Sequence, residues 1–200
     1  FGALVFLIAL TTYIMTVEPT ASFWDAGEYI STSAKLQVGH PPGAPLFQML
    51  GAVFASFAEN PEKIALMVNM MSVFSSAFTI LFLFWTITLL VSKIYPFDNH
   101  KSASEKFVFF ASASVGALSL CFSDSFWFNA VEAEVYAMAM LILSILFYLA
   151  LKWEKEMNTP RGDRWLLLIS FVIGLSFGVH FMGLLTIPAI GMLYYFKNYK

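Results

Sequence analysis

Apolar residues dominate five stretches of the chain, residues 1–17, 64–91, 107–123, 135–151 and 165–196, and the segments between them are short and polar. A helix needs about 20 apolar residues to cross roughly 30 Å of hydrocarbon. Lipid offers no partners to backbone amides, so spanning segments are helices or closed barrels. A barrel would show strands of about ten residues with alternating polarity, and no such pattern occurs here. The last run has 32 residues, which as one helix would extend ~48 Å, too long without steep tilt. It predicts two short spans turning near His180. The pattern therefore predicts an all-α, polytopic transmembrane helix bundle with about six spans. A further apolar segment, residues 46–58, is short for a span and reads as a re-entrant or interfacial helix ended by Asn60-Pro61.

Composition strengthens this class. The chain is 59% hydrophobic, 18% aromatic and only 12% charged, with a mean hydropathy of +0.74, above the apolar share of about 45–50% in soluble domains. Phe1 opens within an apolar run, without an initiator Met or basic flank, so the sequence reads as part of a longer protein. No small-residue cleavage pattern follows Val17, which argues against a signal peptide. The one cysteine, Cys121, excludes an internal disulfide and reads as a buried small hydrophobe.

Charge placement sets the orientation. If residues 18–63 face outward and each later span reverses direction, Lys93, Lys101, Lys106, Lys152, Lys155, Arg161, Arg164, Lys197 and Lys200 face the cytoplasm, nine of the eleven basic residues. The positive-inside tendency favours that arrangement. The inner carboxylates are then Asp98, Glu105, Glu154, Glu156 and Asp163. Outside stand Glu18, Asp25, Glu28, Glu59, Glu62, Asp124, Glu132 and Glu134 against Lys35 and Lys63 alone. Such a face repels a phosphate-bearing ligand unless something cationic meets it: His40, His180, a divalent metal, or basic residues elsewhere in the protein. Trp24, Trp127, Trp153, Trp165, Tyr95 and Tyr194 are expected near the interfaces, as amphipathic rings often are.

The outer segments carry the candidate chemistry. Ser22-Phe23-Trp24-Asp25 has the form of a capping box opening a short helix, on which Asp25 and Glu28 share a face. A bland alternative makes Asp25 only a favourable charge at a helix N-terminus. Gly39-His40-Pro41-Pro42-Gly43-Ala44-Pro45 excludes regular structure and predicts a rigid bend that holds His40. Glu132 and Glu134, two apart, meet one ligand only if the chain there is extended; otherwise they solvate a turn and cap the next helix. His180, at the turn of the last run, is an ionisable residue at membrane depth and a functional candidate on that ground.

These motifs in this order, an acidic pair after the first span, a His-Pro-Pro turn, a short apolar helix, an Asn-Pro break and a second span, resemble the opening of the GT-C membrane glycosyltransferases. Protein O-mannosyltransferases and aminoarabinose transferases share that order. The wording Phe23-Trp24-Asp25-Ala26-Gly27-Glu28-Tyr29 with Gly39-His40-Pro41-Pro42-Gly43 is most similar to a membrane family common in Bacteroidota, to which an animal plexin O-mannosyltransferase also belongs. Asp25-Ala-Gly-Glu28 departs from the adjacent acidic pair of the mannosyltransferases.

The resemblance implies that residues 1–200 form the N-terminal part of a GT-C-like catalytic domain, with 18–63 as its outer catalytic loop. It implies transfer of a sugar from a polyprenyl-phosphate donor to a protein or glycan acceptor, with inversion. Asp25 is expected as base and Glu28 as its catalytic partner, with His40 and His180 on the donor phosphate. Glu132 and Glu134, which resemble the second acidic motif of oligosaccharyltransferase-like members, are expected to hold a Mg or Mn ion if one is needed. A bacterial inner membrane, with the site facing the periplasm, is the expected location. No nucleic-acid partner is expected. The competing class is an ion-coupled transporter, whose acids would sit near the bilayer midplane; the acids here lie at or beyond span ends.

Overall fold

A computed structural model describes residues 1–96 and 102–199; Asp98, Lys101 and Lys200, assigned above to the inner face, lie outside the described residues. Among the described residues all regular structure is helical: α1 (Gly2–Thr16), α2 (Ala26–Lys35), α3 (Pro45–Ala55), α4 (Ile64–Ile94), α5 (Ala103–Cys121), α6 (Asp124–Ala130), α7 (Val135–Glu156), α8 (Gly162–Ser176) and α9 (Thr186–Asn198). Two helices are long and apolar enough to cross a membrane by themselves, α4 with its leading turn and α7. A third follows if α5 and α6, bent by 71°, are counted as one. α1 and α3 are shorter apolar helices. With 15 and 13 residues, α8 and α9 are each too short for a full crossing without help from neighbours.

The long helix α4 is the spine. It packs against α1, α5 and α7, and carries α3 at its outer half. Small residues allow the close approach that bundles in lipid rely on: Ala77 of α4, Ala9 of α1 and Ala113 and Ala117 of α5 are all fully buried in one apolar cluster. A second cluster joins α2, α3, α4, α7 and α8 around Phe47, Val68, Met138, Leu146 and Ile169.

Contacts at the helix ends fix direction. Phe1 meets Phe107 and Phe110 at one end of the bundle, where Lys93 and Lys197 also meet Glu154. At the opposite end the Trp127 indole donates to Thr16 at 2.9 Å, and Tyr136 at the start of α7 faces His180. The chain therefore reverses at residues 177–185, as expected for the last run: α8 climbs to the acidic end, and α9 returns to place Tyr194 against Trp153 and Lys197 beside Glu154. Among the described residues, seven of the nine basic side chains stand at one end and eight of the twelve carboxylates at the other.

Local sequence explains most element boundaries. Ser102 and Glu105 form a reciprocal capping box that opens α5. Asn60 caps the turn of Pro61–Lys63. α3 starts on Pro45 at its first turn, where a missing N–H costs nothing, and stops at Ala55, three residues short of the predicted end. One expected cap is absent. Asp25, not Ser22, occupies the N-cap position of α2, because the Ser22 hydroxyl is taken by the Glu132 carboxylate, 110 residues along the chain.

Candidate active site

Three long-range contacts place the first outer loop. Buried Asn69 on α4 donates from its amide to the carbonyls of Glu18 (2.7 Å) and Thr20 (2.9 Å), and the Glu18 amide donates to the Val131 carbonyl at 3.0 Å. Ser22 then reaches Glu132 at 2.5 Å. Between this anchor and α2 the chain turns through Trp24, whose φ of 62° lies in the left-handed region and whose side chain is 86% exposed. A bulky residue rarely adopts that conformation, and such strain is often found at functional sites. The turn delivers Asp25 to the N-terminus of α2, where the helix dipole favours a negative charge. Its carboxylate makes no capping hydrogen bond and is exposed.

The His-Pro-Pro bend is held to α2 by Glu28. The His40 amide donates to Glu28 Oε1 at 2.6 Å, and the His40 ring Nδ1 stands 3.1 Å from Glu28 Oε2. Gly43, at φ 80°, closes the bend by donating its N–H to the His40 carbonyl at 2.8 Å. Behind the bend, the Gln48 amide of α3 donates to Thr32 of α2. A side chain at Gly39 would strike that amide at 2.7 Å.

The turn after α8 completes the arrangement. The carbonyl of Gly178 accepts from the amides of Leu46 (2.7 Å) and Phe47 (3.2 Å), satisfying two donors at the N-terminus of α3. A Cβ on Gly178 would stand 2.7 Å from the Leu46 Cβ, so the close approach requires glycine. Two residues later His180 accepts a hydrogen bond at Nδ1 from the Met182 amide at 3.2 Å. A neutral ring in that position carries its proton on Nε2 and is a hydrogen-bond donor there.

These segments enclose a cavity of about 140 Å³ lined by Asp25, Tyr29, His40, Glu134, Tyr136 and His180, among others. Glu134 is the N-cap of α7, in extended backbone, and only 6% exposed. Burial pushes its carboxyl up to about 7, and the nearby Asp25 charge adds to the rise against the opposing hydrogen bond of the Asp25 amide. Tyr29 is pushed up to about 12, first by burial and then by Glu134 and Asp25, so its phenol stays protonated. Backbone and then ring hydrogen bonds from His40 hold the Glu28 carboxyl below its ordinary value, and Glu28 in turn raises His40.

The structure thus brings Asp25, His40, Glu134 and His180 to one cavity. It places Glu28 beside that cavity as the clamp of His40. Glu132, 3% exposed, does not line it. The two carboxylates expected to share a metal face different surroundings: Glu132 faces Ser22, while Glu134 faces Asp25. Burial raises Glu132 while the Ser22 hydrogen bond lowers it. Among the described residues the ligand-like grouping is Asp25, Glu28 and His40, whose potential donor atoms all lie within 4.8 Å of one another. That spacing fits one divalent cation with oxygen and nitrogen ligands, although the His40–Glu28 hydrogen bonds also satisfy both groups directly. Tyr29, Tyr136 and Gly178 were not singled out in the sequence. The FWDAGEYI wording could have pointed to Tyr29, one residue after Glu28, whereas the other two depend on contacts between distant segments.

Comparison with known proteins identifies relatives of the chain. The family described as "Protein O-mannosyl-transferase TMEM260 N-terminal domain" matches residues 25–200. The protein named "Protein O-mannosyl-transferase tmem260" from Dictyostelium discoideum is 27% identical over 163 residues, covering 81% of this chain and 18% of the relative. The mouse protein named "Protein O-mannosyl-transferase TMEM260" is 25% identical over 172 residues, covering 86% of this chain and 22% of the relative. The chain therefore spans about a fifth of the length of the curated relatives it matches. No solved structure shows a significant match.

Proposed function

The chain belongs to the family of protein O-mannosyl-transferase TMEM260 N-terminal domains, and from that premise we propose that it carries the reaction centre of an integral-membrane glycosyltransferase. In this reading the full protein moves a sugar from a polyprenyl phosphate to a Ser or Thr hydroxyl of a protein on the non-cytoplasmic side, periplasmic in a bacterium. The observation that supports it best is the convergence of Asp25, His40, Glu134 and His180, from four separate segments, on one cavity at the acidic end of an apolar bundle. The relatives' names, this chain's long apolar helices and its basic opposite end agree with it.

The chemistry follows from the side chains. The acceptor oxygen attacks the anomeric carbon from the face opposite the phosphate, the new C–O bond forms as the bond to the phosphate oxygen breaks, and the configuration inverts. The hydroxyl proton passes to the Asp25 carboxylate as the transition state forms, so that a weak base suffices. The leaving phosphate takes the bonding electron pair, and His180 stabilises it by donating from Nε2. His40, positioned by Glu28, adds a second imidazole and, when protonated, a positive charge to an otherwise acidic face. Glu134 beside Asp25 stays partly protonated near neutrality, which limits the charge repulsion a fully ionised pair would exert on a phosphate. A Mg or Mn ion held by Asp25, Glu28 and His40 would supply further positive charge there.

Position disfavours an ion-coupled transporter. Asp25 and Glu134 are N-caps and His180 lies in a turn, whereas transport sites lie near the midplane. The test uses the purified full-length protein with a Ser/Thr peptide and either polyprenyl-phosphate mannose or GDP-mannose. Transfer from the lipid donor alone is expected. Transfer from the nucleotide sugar, or from neither, would overturn the reading.

A further inference from the structure

At the basic end, far from the reaction cavity, α9 leans on α7 through the parallel rings of Trp153 and Tyr194, 6.2 Å apart. Between α4, α7 and α9 an open groove remains. It comprises two cavities, of about 640 and 580 Å³, that share Leu151, Glu154 and Lys197 as walls and so run into one another. The larger is apolar along its length, with Leu90, Phe147, Met192 and Phe196 presenting exposed side chains. The smaller opens at the membrane boundary among Lys93 of α4, Lys155 of α7 and Lys197 of α9.

Among the described residues that line the mouth, three ammonium groups face one carboxylate. Glu154 contacts Lys93 directly and lies 4.0 Å from Lys197, so a single negative charge is shared while positive charge remains in excess at the mouth. We propose that this groove holds an anionic phospholipid of the leaflet at the basic end, with an acyl chain along the apolar wall and the phosphate among Lys93, Lys155 and Lys197. Charge complementarity selects the headgroup. Basic pockets between helices at the cytoplasmic boundary attract anionic lipids in this way, and lysines act on phosphate as point charges. The continuous apolar wall selects a lipid over a free anion, which would use only the mouth. The site is independent of the proposed catalytic reaction and would stand if that reading failed.

Native mass spectrometry of the full-length protein in detergent tests the proposal, after incubation with equimolar phosphatidylglycerol and phosphatidylcholine. Preferential retention of phosphatidylglycerol is expected, weakening as salt rises. The double variant Lys155→Gln/Lys197→Gln keeps the Lys93–Glu154 contact and should lose that retention about tenfold. Lys63→Gln, at the other end, should leave it unchanged. Equal retention of both lipids, unchanged retention in the double variant, or binding of inorganic phosphate as tight as that of the lipid would each overturn the proposal. Should the double variant fail to fold, the salt dependence of wild-type retention decides, and salt-independent retention counts against it.

Discussion

Glu134 illustrates how one residue's surroundings set its chemistry. It is an ordinary glutamate in sequence, and the neighbouring Glu132 is even more buried; Glu134 alone lines the cavity beside Asp25. Its carboxyl is raised from 4.5 to about 7, so between those values the folded chain holds a proton that the unfolded chain has lost. Stability contributed by this group therefore falls as pH rises through that window and levels off above it. Thermal unfolding in detergent at pH 5 and pH 8 should show a larger loss for the wild type than for Glu134→Gln, which carries no titrating group there. Equal losses would remove Glu134 as the cause. For His180, whose Nδ1 is engaged by Met182, the proposed reaction leaves the remaining N–H for the donor phosphate. His180→Ala should lower kcat/KM for the lipid donor by about 100-fold, in the range of a lost oxyanion donor, with acceptor KM little changed. An effect confined to acceptor KM would place the imidazole elsewhere. The candidates legible in the sequence were those whose type is informative without context: acids outside a span, a histidine in a Pro-Pro bend, a histidine in an apolar run. The division of labour between Glu132 and Glu134 was not legible, because it depends on Ser22, 110 residues away.

At the scale of elements, the site depends on how the turn after α8 sits on the N-terminus of α3. The Gly178 carbonyl caps that helix, and no room exists for a side chain. Gly178→Val should therefore push α3, with the His40 bend that leads into it, away from His180. A cost of about 1–3 kcal/mol is expected from overpacking, with loss of activity exceeding what that destabilisation explains. Gly174→Ala, inside α8 with nothing within 4 Å of an added Cβ, provides the control and should leave activity unchanged, with thermal unfolding unchanged or raised by alanine's higher helix propensity. Equal behaviour of the two variants would mean that the close contact is unimportant. Hydropathy alone located every long helix, since lipid-facing segments must be apolar throughout. It also marked the break in the last run, whose length exceeded the bilayer. It ended the third run at residue 123, where α5 gives way to α6 at the 71° bend, but it did not foresee α6 as a helix. The cap of α2 was misassigned because a local Ser-x-x-Asp pattern could not register that a distant carboxylate claims the serine hydroxyl.

For the whole molecule, the separation of charge between the two ends is the organising fact. It sets a carboxylate- and histidine-lined cavity on one side of the hydrocarbon and a lysine-rich boundary on the other, with the apolar bundle between them. The central claim is that Asp25, in that cavity, takes the proton of a protein hydroxyl as the sugar is transferred. Asparagine is as good an N-cap as aspartate, and the Asp25 side chain makes no capping bond, so Asp25→Asn should leave fold and membrane abundance intact while removing the base. The decisive measurement is glycopeptide mass spectrometry of exported proteins from cells carrying the full-length wild type or Asp25→Asn at equal abundance. Hexose on Ser and Thr is expected in the wild type, with a fall of about 100-fold or more in the variant, the scale of a lost general base. Undiminished hexose occupancy in Asp25→Asn would contradict that claim.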